Sequence, residues 1–122
     1  MLKLIKNKSP IEFETRERCF ITEILNDEAV PEHSIARCRV KPGITTELHS
    51  LSNTRETYTI EKGQGLMDDG ECEPFAVSPG DSIEIFPGHP QRIKNISDDD
   101  LVIILVCIPR FVPECYVPLE DR

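Results

Sequence analysis

The chain has 122 residues, with 22 acidic against 14 basic side chains and a net charge of −8 at neutral pH. Binding to a phosphate backbone needs a basic surface, so this balance argues against nucleic acid, and the length suits one domain, 1–122, able to bury roughly two-thirds of its unfolded surface. The longest apolar run, 101–108, has eight residues, far short of the roughly 20 that cross a membrane as a helix.

The N-terminal MLKLIKNKSP holds lysines but no apolar stretch of signal-peptide type, so a cytoplasmic protein without membrane association is expected. The five cysteines are odd in number and never spaced C-x-x-C. They read as reduced thiols, with Cys38 and Cys107 acting as small hydrophobes in apolar strands.

Taken in chain order, residues 1–10 predict an arm laid on the outside. Ile11 to Thr15 alternates apolar and polar, and Arg18 to Leu25 is rich in β-branched and aromatic residues before the Asn26-Asp27 turn. Ser34 to Val40 places Ala36, Cys38 and Val40 on one face, with Ile35, Arg37 and Arg39 on the other. Lys41-Pro42-Gly43 ends that strand.

The stretch GITTELHSLSNTRETYTIEKG, Gly43 to Gly63, reads as two strands joined by the polar turn 52–54. Alternation puts His49 with Leu51, and Glu56 with Tyr58 and Ile60. Closing the turn is expected to bring an imidazole and a carboxylate into one apolar space, the make-up of a small metal or proton-transfer site.

A hairpin is expected around Leu66-Met67, then short strands at 75–77 and 82–86. The loop Pro87-Gly88-His89-Pro90 leads into a strand with Gln91, Ile93 and Asn95 on one face. Leu101 to Ile108 shows no alternation, which predicts burial of both faces and cover from the tail, the arm or a second subunit; a homodimer follows as an expectation. The proline-broken tail 109–122 is expected to wrap the outside. About nine to eleven short strands and no helix make the chain all-β, a sandwich or barrel.

The spacing Gly43-x5-His49-x-Leu51-x4-Glu56-x6-Gly63 resembles the first motif of the cupin superfamily. Gly80, Gly88 and Asn95 in GDSIEIFPGHPQRIKN are similar to its second. The two cover residues 43–95. The resemblance implies a jelly-roll barrel, the double-stranded β-helix, with its site at the open end. It also implies a divalent metal (Fe, Mn, Ni or Zn) on ligands from both motifs. His49 and Glu56 match ligand positions, whereas Leu51 stands where the family has a second histidine and Gln91 where it has a third.

The expected metal set is therefore His49, Glu56 and Gln91, with His89 as a spare donor two residues before Gln91. The expected catalytic set is Glu56, His49 and Tyr58. An inward Glu56 needs a cation, a metal or several donors, and Arg55 points to the opposite face. Two functional classes follow. One is a metal-dependent enzyme of dioxygenase, isomerase or cyclase type acting on a small molecule in the barrel. The other is a metal-free barrel that binds or senses a small ligand, which loss of two family ligands favours; a metal-free acid/base isomerase lies between them.

Overall fold

The computed structural model describes residues 1–121. Among them run eleven strands: β1 (Phe13–Glu14), β2 (Phe20–Leu25), β3 (Ser34–Val40), β4 (His49–Leu51), β5 (Arg55–Lys62), β6 (Gly65–Asp68), β7 (Phe75–Val77), β8 (Ser82–Ile85), β9 (Arg92–Asn95), β10 (Leu101–Ile108) and β11 (Tyr116–Pro118). The only helical element among the described residues is a 3₁₀ turn, Pro113–Cys115, so none is long and apolar enough to cross a membrane.

All pairings are antiparallel. Six strands form the larger sheet in the order β1-β2-β3-β10-β5-β8. The smaller layer is β7-β6-β9, joined to the β11-β4 pair by the bridges Thr45↔Lys94 and His49↔Gln91. This is the jelly-roll architecture expected from the sequence.

Period-two patterning decides what faces inward. Along β5, Glu56, Tyr58 and Ile60 are buried while Arg55, Glu61 and Lys62 are exposed. Ile60, Ile93, Leu101, Ile103 and Val40 are at most 1 % exposed and form the centre of the core. At one end of the barrel the inward row becomes polar. Ser34, Cys107, Glu56 and Ile85 lie side by side across the larger sheet, and His49 faces Gln91 across the smaller layer.

Three expectations change. Strands β4 and β5 do not form a hairpin. The chain crosses between layers at 52–54, so β4 pairs with β11 while β5 pairs with β10 and β8. Secondly, β10 is not buried on both faces. Val102, Ile104 and Val106 are half-buried and Ile108 is 55 % exposed. The flanking partners Arg39, Arg37 and Lys62 carry long apolar stems that cover such a face without a further layer. Thirdly, the tail does more than wrap the outside: Tyr116–Pro118 adds a strand to β4, and Cys115 is buried. Arg122, the last residue of that segment, lies outside the described residues.

Two motif residues show why the frame needs them. Gly63 has φ +89°, and a Cβ there would stand 3.0 Å from the Asp100 carbonyl oxygen and 3.1 Å from the Leu101 Cα, so a side chain is excluded on both counts. Asn95 is wholly buried. Its amide nitrogen donates to the Val40 and Asp99 carbonyls at 2.8 and 2.9 Å, and its oxygen accepts from Ser97 N and Oγ. It thereby ties β9 to the end of β3 and to the loop entering β10. Asn95→Ala strands those groups and is expected to cost about 2–4 kcal/mol. Urea denaturation checks this; a loss within error of zero would contradict it.

Candidate functional site

The polar end of the barrel opens into a cavity of about 120 Å³. Its walls are mostly apolar, with Ile21, Leu51, Tyr58, Ile103 and Leu105 among them. Into this lining project Glu17, His49 and Glu56.

His49 is 3 % exposed. Its peptide is fixed by paired bonds to Gln91, at 3.2 Å from the His49 nitrogen and 2.8 Å to its carbonyl. The ring Nδ1 lies 2.8 Å from the Glu47 carbonyl oxygen. A carbonyl can only accept, so Nδ1 carries the proton and Nε2 is left for chemistry. Nε2 has Glu17 Oε2 at 4.0 Å. Tyr116 stacks on the ring, with centroids 4.7 Å apart and planes 20° apart, while its hydroxyl donates to Glu47 Oε1 at 2.5 Å. The Glu47 carboxylate is wholly buried and also takes Arg16 Nη2 at 3.2 Å.

Glu56 is 5 % exposed. Oε2 accepts a weak bond from the Cys107 thiol at 3.5 Å, and Oε1 has no partner among the described residues. Arg55, on the opposite face, pairs with Glu84. Burial, followed by the charge of Glu17, pushes the Glu56 carboxyl up to about 7. The Gln91 amide and the Cys107 thiol lean the other way, but only the thiol reaches hydrogen-bond geometry. Burial also raises Glu17, which His49 offsets and Glu47 reinforces. The Tyr58 phenol and Cys107 thiol are pushed up by burial and by Glu56; both are neutral at physiological pH.

The structure thus brings His49, Glu56 and Tyr58 to one cavity. Gln91 sits beside them, 1 % exposed, and neither of its buried amide atoms meets hydrogen-bond geometry with a partner among the described residues. His89 does not join them; it is exposed, with Nε2 2.9 Å from Asp69 Oδ2. No three His, Cys, Asp or Glu side chains among the described residues converge closely enough to hold a metal ion.

Sequence reasoning missed Glu17, Glu47 and Tyr116. Glu17 sits in the β1–β2 loop, closed by Thr15 N to the Cys19 carbonyl at 2.9 Å and turned by Arg18 at φ 72°. The Glu17 carbonyl accepts from Glu47 N at 3.0 Å. The stretch Thr15-Arg16-Glu17-Arg18 reads as an ordinary charged turn, and nothing in its pattern marks one carboxylate as inward. Alternation did offer one signal, since Glu47 shares its strand parity with His49 and Leu51.

A family model described as "Cupin domain" matches residues 36–107. An uncharacterized protein of Methanocaldococcus jannaschii is 33% identical over 102 residues, 82% of this chain and 81% of that protein. Among solved structures, Streptomyces Pac13, a nucleoside dehydratase, superposes with TM-score 0.76 at 17% identity, over 95% of this chain and 92% of the other. A protein of Thermotoga maritima described as a predicted oxalate decarboxylase gives TM-score 0.71 at 24% identity, over 83% and 92%. At these identities the structural likenesses carry the fold alone.

The raised Glu56 carboxyl has a consequence for stability. The native state holds the proton more tightly than the unfolded chain, so stability is fully present below the ordinary value of 4.5 and declines as pH rises toward about 7. The loss attributable to this group is at most roughly 3 kcal/mol. Glu56→Gln is expected to remove that part of the slope, so that the variant gains on the parent between pH 5 and pH 8. Parallel pH profiles from chemical denaturation would contradict the assignment.

Proposed function

This chain belongs to the cupin family, and from that premise we propose that it binds a small polar organic molecule in the barrel cavity and moves protons on it, with Glu56 and His49 as the exchanging groups. The observation that carries this reading is the Glu56 carboxyl: buried, unpartnered at Oε1 and pushed to about 7, in the same cavity as the free Nε2 of His49. A general acid or base works best with a pKa near the working pH, and positioned proton transfer contributes on the order of 10²–10⁴ in rate. A ligand supplying a donor or acceptor to Oε1 also satisfies an atom that is otherwise costly to bury.

In this reading Nε2 of His49 takes a proton from the substrate, and the imidazolium so formed keeps its Nδ1–H on the Glu47 carbonyl. Glu17, 4.0 Å from Nε2, favours that positive charge, and Tyr116 holds the ring plane. Neutral Glu56 gives a proton to a departing or enolising oxygen. Isomerisation, or elimination of water, fits such a pair; Pac13, on the same fold, is a dehydratase of nucleosides. An engineered apolar cavity near 150 Å³ accommodates benzene, so 120 Å³ suits a substrate of a few heavy atoms or the reacting end of a larger one.

The family's metal fits this chain poorly. Leu51 offers no lone pair, and the Gln91 amide oxygen is neutral, a weaker ligand than the imidazole it replaces. Only His49 and Glu56 remain as strong donors at the family's positions. One observation favours the metal reading, in which His49, Glu56 and Gln91 hold a divalent ion: the unpartnered Glu56 Oε1 and Gln91 Oε1 are the atoms an ion would take. Five free cysteines, four of them buried, support a reducing, cytoplasmic setting. A homodimer remains part of the proposal, supported by the exposed apolar side chain of Ile108 at the end of β10; a monomer at micromolar concentration in sedimentation would remove it.

Solvent deuterium exchange into small ketones and β-hydroxy carbonyl compounds tests the catalytic reading. Exchange is expected to survive exhaustive chelation and to fall on the order of 100-fold or more in Glu56→Gln and in His49→Ala. Exchange that requires an added divalent ion, with near-stoichiometric metal lost in His49→Ala, would establish the metal reading instead. Parent exchange no faster than that of Glu56→Gln would leave a binding barrel without catalysis.

A further inference from the structure

Glutamates 17, 23, 47 and 56 gather at the polar end of the barrel, and all but one are accounted for among the described residues. Glu47 takes the Tyr116 hydroxyl and Arg16. Glu23 lies with the Asn26 side chain and in the field of Arg110. Glu56 is held by burial as an acid near neutrality. Glu17 has no such arrangement. No hydrogen-bond donor among the described residues reaches its carboxylate, and the His49 Nε2 that faces Oε2 stands 4.0 Å away, beyond hydrogen-bond reach.

That Nε2 is an acceptor as well, because Nδ1 carries the proton. His49 is 3 % exposed, so a buried ring aims an unserved acceptor into the cavity beside an unserved carboxylate. The walls supply no cation. Among the described residues no lysine or arginine lines the cavity, while Glu17, Glu23 and Glu56 do. A carboxylate in a mostly apolar space is costly unless a positive group comes to it. The Glu17 side chain is 22 % exposed, so an incoming group reaches it. An ammonium nitrogen at a charge-assisted distance of about 2.8 Å from a Glu17 oxygen carries its adjoining carbon, one bond further on, toward Nε2.

We infer that the cavity selects a small carbonyl compound bearing a primary ammonium group on the carbon next to the carbonyl, and that Glu17 is the residue that recognises it. The inference rests on the proton-transfer reading and adds to it the charge of the substrate. The C–H between ammonium and carbonyl loses its proton to His49 Nε2, the carbonyl oxygen takes the proton of Glu56, and an enol forms with no other reactant. A carboxylate on the same substrate is disfavoured by the glutamates of the lining.

Titration by NMR with isobutylammonium and with isobutanol, its neutral counterpart of the same shape, tests the recognition apart from the chemistry. Isobutylammonium is expected to shift the Glu17 and His49 side chains and to bind roughly tenfold or more tightly than the alcohol, the worth of a hydrogen-bonded charge. Glu17→Gln, at a loop position whose structural bonds are made by its backbone, should bring the two probes level. Glu23→Gln should keep most of the preference. Equal affinity of the two probes, a preference that survives Glu17→Gln, or no binding of isobutylammonium at millimolar concentrations would overturn the inference. Deuterium exchange into aminoacetone and hydroxyacetone reads the chemistry separately. A cation preference without exchange leaves Glu17 as the recognising residue and removes the proton-transfer reading, whereas exchange into hydroxyacetone with no cation preference does the reverse.

Discussion

The arrangement at the barrel's polar end turns on one constraint, the desolvation of the Glu56 carboxyl. A carboxylate removed from water must find a cation or several donors, or else keep its proton. Glu56 has one weak thiol contact, a nearby amide that does not reach it, and a second carboxylate, Glu17, in the same cavity. The result is an acid held near neutrality. The same burial governs its neighbours, leaving the Tyr58 phenol and the Cys107 thiol protonated, so neither competes as a nucleophile or anionic ligand.

Beside that carboxyl the fold holds an imidazole in one pose. His49 is held from three directions: its peptide by Gln91, its Nδ1 by the Glu47 carbonyl, and its ring face by Tyr116. Each support comes from a different part of the chain, and the last reaches the site only because the tail returns to pair with β4. The β1–β2 loop bonds to Glu47 through its backbone and delivers the Glu17 side chain beside Nε2. The loop and the tail thus both meet at His49. Hydrogen bonds and ring stacking orient the His49 side chain.

Much of this frame was legible in the sequence because it is written in local periodicity. The limits of β3, the shared inward face of Glu56, Tyr58 and Ile60, and that of Gln91, Ile93 and Asn95 all follow from alternation. The motif glycines marked real turns, as Gly63 shows. What periodicity could not supply was which strands are neighbours. The hairpin expected at 52–54 is a crossover between layers, because turn residues look alike in both roles. The uniform apolarity of 101–108 suggested two buried faces, whereas the outer one is only half-buried and lies between strands that carry arginine and lysine there. Glu17 and Tyr116 entered the site through long-range pairing of a charged turn and a proline-broken tail, for which a strand pattern carries no signal.

The central claim concerns one proton, and it is tested most directly by following the Glu56 carboxyl carbon across pH by ¹³C NMR, with Glu56→Gln identifying the resonance. The account predicts a midpoint near 7 in protein stripped of metal by chelation. A midpoint in the ordinary carboxylate range near 4.5, or below it, would mean that Glu56 meets a cation or donors in solution, and the acid/base reading of this barrel would fall.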